Sequence, residues 1–198
     1  MKFSIITVCY NSENTIEKTI KSILSQNYKN FEYIIVDGGS TDNTMKIINN
    51  FKDNIHLIIS EKDKGIYDAI NKGIKISSGD IISIIHSDDI YFDDNILGFV
   101  NSYFDNNQDL DCLIGSTLIK KNHNNSIIRK YNPTIFKTWM LYLGFSPPHP
   151  STFMKKEIYD KYGYYKTDYE IAGDFEFFLR IFNKNKIVYK LLKKIFVT

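Results

Sequence analysis

Four short runs rich in β-branched apolar residues, at positions 3–9, 31–36, 55–59 and 81–85, recur about every 25 to 30 residues. Most of the gaps between them carry apolar residues at helical spacing. That rhythm constrains the fold strongly, because two parallel strands can be joined only by a crossover long enough to hold a helix. In the first gap Asn11 or Ser12 can cap a helix whose Ile16, Ile20, Ile23 and Leu24 recur at three- and four-residue spacing. The second gap opens on Asp37-Gly38-Gly39-Ser40-Thr41-Asp42, a tight strand-to-helix loop, and continues with Met45, Ile48 and Phe51 facing inward. A further helix is expected over 66–76. At 198 residues the chain suits one domain or two closely packed halves, with a core that needs no staples.

Beyond about residue 105 the regularity loosens. Strands are expected over 110–119 and 126–131 around a polar turn at 121–125. Pro133, Pro147, Pro148 and Pro150 break up the stretch after the second of these strands. A last helix is expected over 169–182, then a basic apolar tail over 187–197. The pattern is that of an α/β fold with a nucleotide-binding first half (about 1–105) and a less regular second half (about 106–198).

Lys plus Arg is 25 and Asp plus Glu is 23, a net charge of +2, which argues against a dedicated nucleic-acid binder. Cys9 and Cys112 sit in apolar runs and fit buried thiols in a reducing compartment. The opening residues lack a signal-peptide cleavage pattern, and no run approaches the roughly 20 apolar residues of a membrane span. A cytoplasmic location is therefore expected, with peripheral membrane attachment left open.

In an open parallel α/β sheet, ligands sit beyond the carboxyl ends of the strands. Here the strand ends carry Thr7 and Tyr10, then Asp37, then Asp88 and Asp89. Any one of these carboxylates reads equally well as a loop or capping residue; their joint placement on one edge points to one site. Two adjacent carboxylates repel one another unless a cation lies near. Mg²⁺ or Mn²⁺ prefers oxygen ligands and bridges one or two carboxylates to substrate phosphates, so Asp88-Asp89 suits a metal–diphosphate site. Other phosphate and metal sites are set aside. There is no Gly-x-x-x-x-Gly-Lys-Ser/Thr loop, no Gly-x-Gly-x-x-Gly turn after the first strand and no Gly-x-Ser-x-Gly elbow. The cysteines and His56, His86, His123 and His149 show no zinc-ligand spacing.

Read in order, the motifs resemble family 2 glycosyltransferases over about residues 3 to 182. They are Ile6-Thr7-Val8-Cys9-Tyr10-Asn11, Ser22-Ile23-Leu24-Ser25-Gln26, Val36 through Asp42, and Asp63-Lys64-Gly65-Ile66-Tyr67-Asp68-Ala69-Ile70-Asn71-Lys72-Gly73. Gly79-Asp80, Ser87-Asp88-Asp89, His149-Pro150-Ser151-Thr152-Phe153 and Asp174 through Arg180 complete the set. The resemblance implies one GT-A domain over residues 1–198, a Rossmann-like, mixed and mostly parallel sheet flanked by helices. It also implies a nucleotide-sugar donor, Mn²⁺ or Mg²⁺, and inversion at the anomeric carbon in surface-polysaccharide or glycolipid synthesis.

Carried over residue by residue, Thr7 and Asp37 contact the base with Tyr10 beside it, and Asp37 accepts from the N3–H if the base is uracil. A UDP-sugar is favoured on that ground. Asp88 meets ribose or sugar hydroxyls, and Asp89 holds the metal. Ser87 occupies the first position of the aspartate-x-aspartate motif, and Gly38 stands where many relatives carry a second Asp. Asp174 matches the catalytic base; it opens an amphipathic helix, where an anion is favoured, and is otherwise a simple N-cap. Asp63, Asp68 and Asn71 line the donor pocket or serve as loop and cap residues. His149 is a diphosphate or acceptor contact or a structural histidine.

Other residues carry plainer expectations. Tyr67 is pocket or core, and Glu176 and Arg180 form a helix-face pair. Trp139, Tyr142, Phe145 and Phe153 read first as core, with acceptor stacking open. In the tail, Lys184, Lys186, Lys190, Lys193 and Lys194 interleave with apolar residues. A solvated final strand or helix is the default there, and a membrane-surface contact suits a lipid-linked acceptor. Members of the family often run longer; were this chain a part of a longer one, part of an acceptor site or a dimer contact would lie outside it, and a homodimer is left open. Two competing functions remain. A sugar nucleotidyltransferase would want a Gly-rich basic loop where Tyr10-Asn11-Ser12-Glu13 stands. A silent nucleotide-sugar-binding scaffold would have no use for Asp37, Asp88, Asp89 and Asp174 together.

Overall fold

The computed structural model describes residues 1–121, 126–184 and 187–198. The expected polar turn at 121–125 falls outside them beyond Lys121, as do His123 and Lys186. The first half follows the expected alternation: β1 (Phe3–Cys9), α1 (Ile16–Leu24), β2 (Phe31–Asp37), α2 (Thr44–Asn49), β3 (Leu57–Ser60), α3 (Ile66–Ile76) and β4 (Ile81–Ile84). The second half adds α4 (Ile96–Asn106), β5 (Cys112–Lys120), β6 (Ile127–Tyr131), β7 (Thr152–Lys155), α5 (Lys156–Tyr162), α6 (Gly173–Lys184) and β8 (Tyr189–Val197).

Among the described residues one eight-stranded sheet runs in the order β3-β2-β1-β4-β7-β5-β6, with β8 paired to β5. The pairs β1–β2, β1–β4, β2–β3 and β5–β8 are parallel, while β7 runs antiparallel to both β4 and β5. The strands of β1 and β2 are buried on both faces, so their residues divide by parity between two cores. Phe3, Ile5 and Cys9 pack with Ile16, Ile20 and Ile23 of α1 and with Ile96, Leu97, Val100 and Phe104 of α4. Ile6 and Val8 face Ala69, Ile70 and Ile74 of α3 and Phe177, Phe178 and Ile181 of α6. Helices thus cover both faces, the mixed α/β architecture expected. Both cysteines are buried free thiols.

Several elements depart from the sequence expectations. α4, β7 and α5 were not anticipated: α4 follows an acidic loop, β7 has only four residues after a proline cluster, and α5 has seven. The last helix starts at Gly173 rather than at 169, because Ala172 takes a left-handed φ of 66° and cannot belong to a helix. Of the four aromatics read first as core, only Phe153 is buried; Trp139, Tyr142 and Phe145 are all more than half exposed. The basic tail forms β8, the final strand expected there by default, with Phe196 and Val197 wholly buried and Lys194 paired to Asp93 at 3.2 Å. Glu176 and Arg180 do pair, at 3.0 Å, and Arg180 also donates to the carbonyls of Gly163 and Tyr164.

Glu32 ties the amino end of this sheet together. Its carboxylate on β2 accepts from Lys2 Nζ at 2.8 Å, Ser4 Oγ at 2.6 Å, and the Ser78 amide and hydroxyl, both at 2.6 Å. Burial would raise its pKa, but these donors outweigh that cost and hold it down at about 2. Because the folded-state value is depressed, the stabilisation is present above the usual value near 4.5 and is lost as pH falls through about 2. Glu32→Gln should therefore cost about 1–3 kcal/mol at neutral pH. In urea melts it should also show a shallower loss of stability than the parent between pH 4.5 and 2.

Candidate active site

The strand order reverses at β1, with β2 on one side and β4 on the other, so the carboxyl ends of β1 and β4 flank a crevice. A cavity of about 380 Å³ lies there, lined by Val8, Cys9, Tyr10, Ser12, Asp63, Gly65, Ile66, Ala69, His86, Ser87 and Asp88. No Lys or Arg is among these residues.

The loops around the cavity are fixed by hydrogen bonds between them. Asn11 takes a left-handed φ of 48°, which its short amide side chain tolerates. Its amide donates to Ser40 Oγ at 2.8 Å, and its Oδ1 accepts from the Thr41 amide at 2.8 Å. Glu13 and Asp42 complete the exchange through the Asn43 and Glu13 amides, while Asp42 also accepts from the Thr44 amide as a helix-capping residue. On the other side, the Ser12 and Ser87 hydroxyls lie 2.8 Å apart, and Thr19 Oγ1 donates to the Ser87 carbonyl. Ser87, in the place of a first motif carboxylate, thus joins the end of β4 to the end of β1.

Asp37 is wholly buried and does not line the cavity. Its Oδ2 accepts from the Gly39 and Ser40 amides and from Ser60 Oγ at 2.7 Å; its Oδ1 is taken by the Ser40 hydroxyl and approached by the Cys9 thiol at 3.7 Å. Thr7 is equally buried and accepts from the Tyr33 hydroxyl at 3.1 Å. Asn71 clamps α3 to the chain before α6, donating to the Tyr165 carbonyl at 2.7 Å and accepting from its amide at 2.9 Å. Asp68 accepts from the Lys64 amide and pairs with Lys72; the amide and the ammonium hold its pKa below the ordinary value. Asp63 does reach the cavity, and the Gly65 amide donates to its Oδ1 at 2.9 Å. A Cβ on Gly38 would lie 2.6 Å from Asp63 Oδ2, so the glycine makes room for this carboxylate beside the end of β2.

Beyond β4 the electrostatics change character. Asp89 is pushed up to about 7, first by burial and then by the neighbouring Asp88. His86 lines the cavity with its Nδ1 buried and unpartnered, the only such side-chain atom among the described residues. Its ring lies 5.7 Å from that of His149, whose Nε2 shares a 2.7 Å hydrogen bond with the Tyr165 hydroxyl. Burial, then His86, lowers His149 to about 4, and burial lowers His86, so both rings are neutral at neutral pH. Asp174 lies close enough to pull both histidines back upward. Tyr67 of α3 donates to Asp174 Oδ1 at 3.3 Å, and its ring stacks on Tyr165 at 5.8 Å. Gly173 makes that approach feasible, since a Cβ there would lie 2.7 Å from the Tyr67 ring.

Among the described residues no three His, Cys, Asp or Glu side chains cluster so as to hold a metal alone. Asp88 and Asp89 nevertheless fit a divalent cation that takes its other ligands from a diphosphate and water: two adjacent oxygen donors, one withdrawn from solvent and lacking a counter-charge. Of the expected residues, Tyr10, Asp63 and Asp88 line the cavity, while Asp89 lies next to Asp88, and His149 and Asp174 lie near His86. The structure places Thr7, Asp37, Asp68 and Asn71 in the supporting framework. The sequence reading passed over His86 as a site residue, although its position directly before Ser87-Asp88-Asp89 at a strand end was a usable signal.

Comparison with known proteins agrees with this fold. PGL/p-HBAD biosynthesis glycosyltransferases from Mycobacterium bovis and Mycobacterium tuberculosis are 27% identical over 190 residues, covering 94% of this chain and 72% of theirs. The Escherichia coli enzyme WfgD, a UDP-Glc:α-D-GlcNAc-diphosphoundecaprenol β-1,3-glucosyltransferase, is 36% identical over 129 residues, 65% of this chain and 49% of its own. Staphylococcus aureus TarS superposes over the whole chain with a TM-score of 0.79 at 21% identity. This chain spans 36% of TarS, and 58% of the chain in the 1–349 fragment's UDP-GlcNAc complex. The profile of the family described as "Glycosyl transferase family 2" matches residues 4–184, and the chain belongs to that family of glycosyltransferases.

Proposed function

We propose that this chain moves a sugar from a nucleotide-sugar donor, a UDP-sugar in preference, to a hydroxyl of a glycan or lipid-linked acceptor. The transfer inverts the anomeric carbon and uses Mn²⁺ or Mg²⁺. The observation that carries the reading is the meeting of Asp88, Asp89 and Asp174 around His86 at the switch point of the sheet. The preference for UDP is supported by the TarS complexes with UDP and UDP-GlcNAc and by the UDP-Glc in WfgD's name. The use of Mn²⁺ is supported by the mannosyltransferase PcManGT from Pyrobaculum calidifontis, of similar fold at a TM-score of 0.63, whose structure is in complex with GDP-Man and Mn²⁺.

In this reading residues 1–105 form the donor half. Tyr10 and Asp63 flank the nucleoside, and Asp37 and Thr7 act on the base through the loop they hold in place. Asp88 faces the sugar, and Asp89 with Asp88 would hold the cation, whose charge would stabilise the departing diphosphate. The second half, from about residue 106, carries the base and the acceptor side. Tyr67 holds Asp174 Oδ1, leaving Oδ2 to take the proton of the acceptor hydroxyl. The acceptor oxygen then bonds to the anomeric carbon as the bond to the diphosphate breaks, and the nucleoside diphosphate leaves with the electron pair. His149, neutral and bound to Tyr165, faces the diphosphate or the acceptor beside His86.

Two variants separate these roles. Asp174→Asn keeps the shape of the site but removes the proton acceptor. It should bind UDP with Mn²⁺ as the parent does in calorimetry and lose about 10²–10⁴-fold in transfer, measured as UDP release; undiminished turnover would unseat Asp174 as the base. Asp89→Asn should instead abolish the gain in UDP affinity that Mn²⁺ confers, a loss of at least about tenfold. An unchanged Mn²⁺ effect in that variant would overturn its assignment.

A further inference from the structure

Between Asp111 and Glu157 the sequence contains no acidic residue and seven cations: Lys120, Lys121, Arg129, Lys130, Lys137, Lys155 and Lys156. Lys155 and Lys156 are engaged with Asp111 and with the Ser77 carbonyl. Among the described residues, Lys120, Arg129, Lys130 and Lys137 face no carboxylate within ion-pair distance. The remaining eighteen of the chain's 25 cations share it with all 23 acids. Positive charge is thus concentrated in one stretch that holds nothing to neutralise it.

The same stretch exposes apolar surface of a particular kind. Two 3₁₀ turns, Pro133–Ile135 and Thr138–Leu143, follow β6. They are anchored by Phe136, which packs on Phe182 of α6, and by the buried Leu141. Around those anchors Ile135 is 71% exposed, Trp139 59%, Tyr142 68%, Leu143 63% and Phe145 56%. Three residues per 3₁₀ turn put Trp139 and Tyr142 on one face, and Lys137 is exposed just before them. Exposed apolar side chains scattered singly are ordinary; five large ones within residues 135–145, three of them aromatic, are not.

We infer that the segment 135–145, flanked by Arg129, Lys130 and Lys137, docks on the surface of an anionic phospholipid bilayer. Trp and Tyr rings favour the interfacial layer, with aliphatic side chains entering below it and cations meeting the headgroups. Charge chooses this occupant, since a second copy of the chain docking through the same segment would set one acid-free cationic stretch against another. The inference does not depend on the proposed transfer reaction. It sets a membrane contact on this segment, apart from the contact that the sequence suggested for the basic tail.

Trp139 is the chain's single tryptophan, so its emission reports on this segment. The full chain is titrated with vesicles of phosphatidylcholine, with and without phosphatidylglycerol, the acyl chains brominated in a parallel series. A blue shift and quenching on the anionic vesicles, reversed at high salt, are expected. Lys137→Gln and Arg129→Gln should each weaken vesicle affinity about fivefold. Leu143→Ser with Phe145→Ser, both at exposed positions, should weaken it while thermal melts stay unchanged. An emission spectrum unmoved by anionic vesicles would overturn the inference. So would equal binding to neutral vesicles, or a blue shift that grows with protein concentration in the absence of lipid.

Discussion

A carboxylate withdrawn from water without a cation beside it costs several kcal/mol unless donors surround it, and Asp37 is the position where that requirement shapes the most structure. The donors come from the Gly39 and Ser40 amides and the Ser40 and Ser60 hydroxyls, so the chain must turn at once after β2, with Gly39 at a φ of 82°. Once that turn exists, Ser40 and Thr41 are presented to Asn11, and the loop after β1 has little freedom left. Tyr10 and Ser12 owe their place on the cavity wall to this chain of bonds. Asp37 thus fastens the loops around the crevice.

Asp37, Asp89 and Asp174 show three different ways for a fold to hold a carboxylate. Asp37 is wholly buried and held by neutral donors on both oxygens. Asp89 has burial and Asp88 working against its charge, and a cation is what would relieve both. Asp174 has one oxygen held by a tyrosine and a helix amino terminus behind it. The first environment suits the ordering of loops, the second the arrival of a counter-ion, and the third the acceptance of a proton.

The first half of the fold was legible because every element there repeats a simple signal. β1 and β2 are continuous apolar runs, and Ile66–Ile76 has unbroken helical spacing from a glycine to a serine. α4 was readable by the same rule, from Ile96, Leu97, Val100 and Phe104, but lies where the βαβ rhythm ends. β7 carries no signal of its own; four residues become a strand only because β4 and β5 lie on either side of them. At the site, strand-end position placed Tyr10 and Asp88 at the crevice, where both line the cavity, yet it could not tell how far a carboxylate is turned into its own loop. Asp37 is turned inward by donors such as Ser60, whereas Asp63, in the loop after β3, reaches the cavity. The position of His86 before Ser87-Asp88-Asp89 was readable, but its orphaned Nδ1 is set by packing.

The distribution of charge joins these observations. The cavity wall holds Asp63 and Asp88 and no Lys or Arg, and burial keeps His86 and His149 uncharged at neutral pH. Asp89 and Asp174 stand close by, so the charged side chains at and beside this wall are acidic. The unpaired positive charge between Asp111 and Glu157, meanwhile, is carried on side chains away from that wall. Cations that do not serve the diphosphate are free to serve a second anionic surface, and the aromatic side chains among them point to one that is apolar beneath its charge.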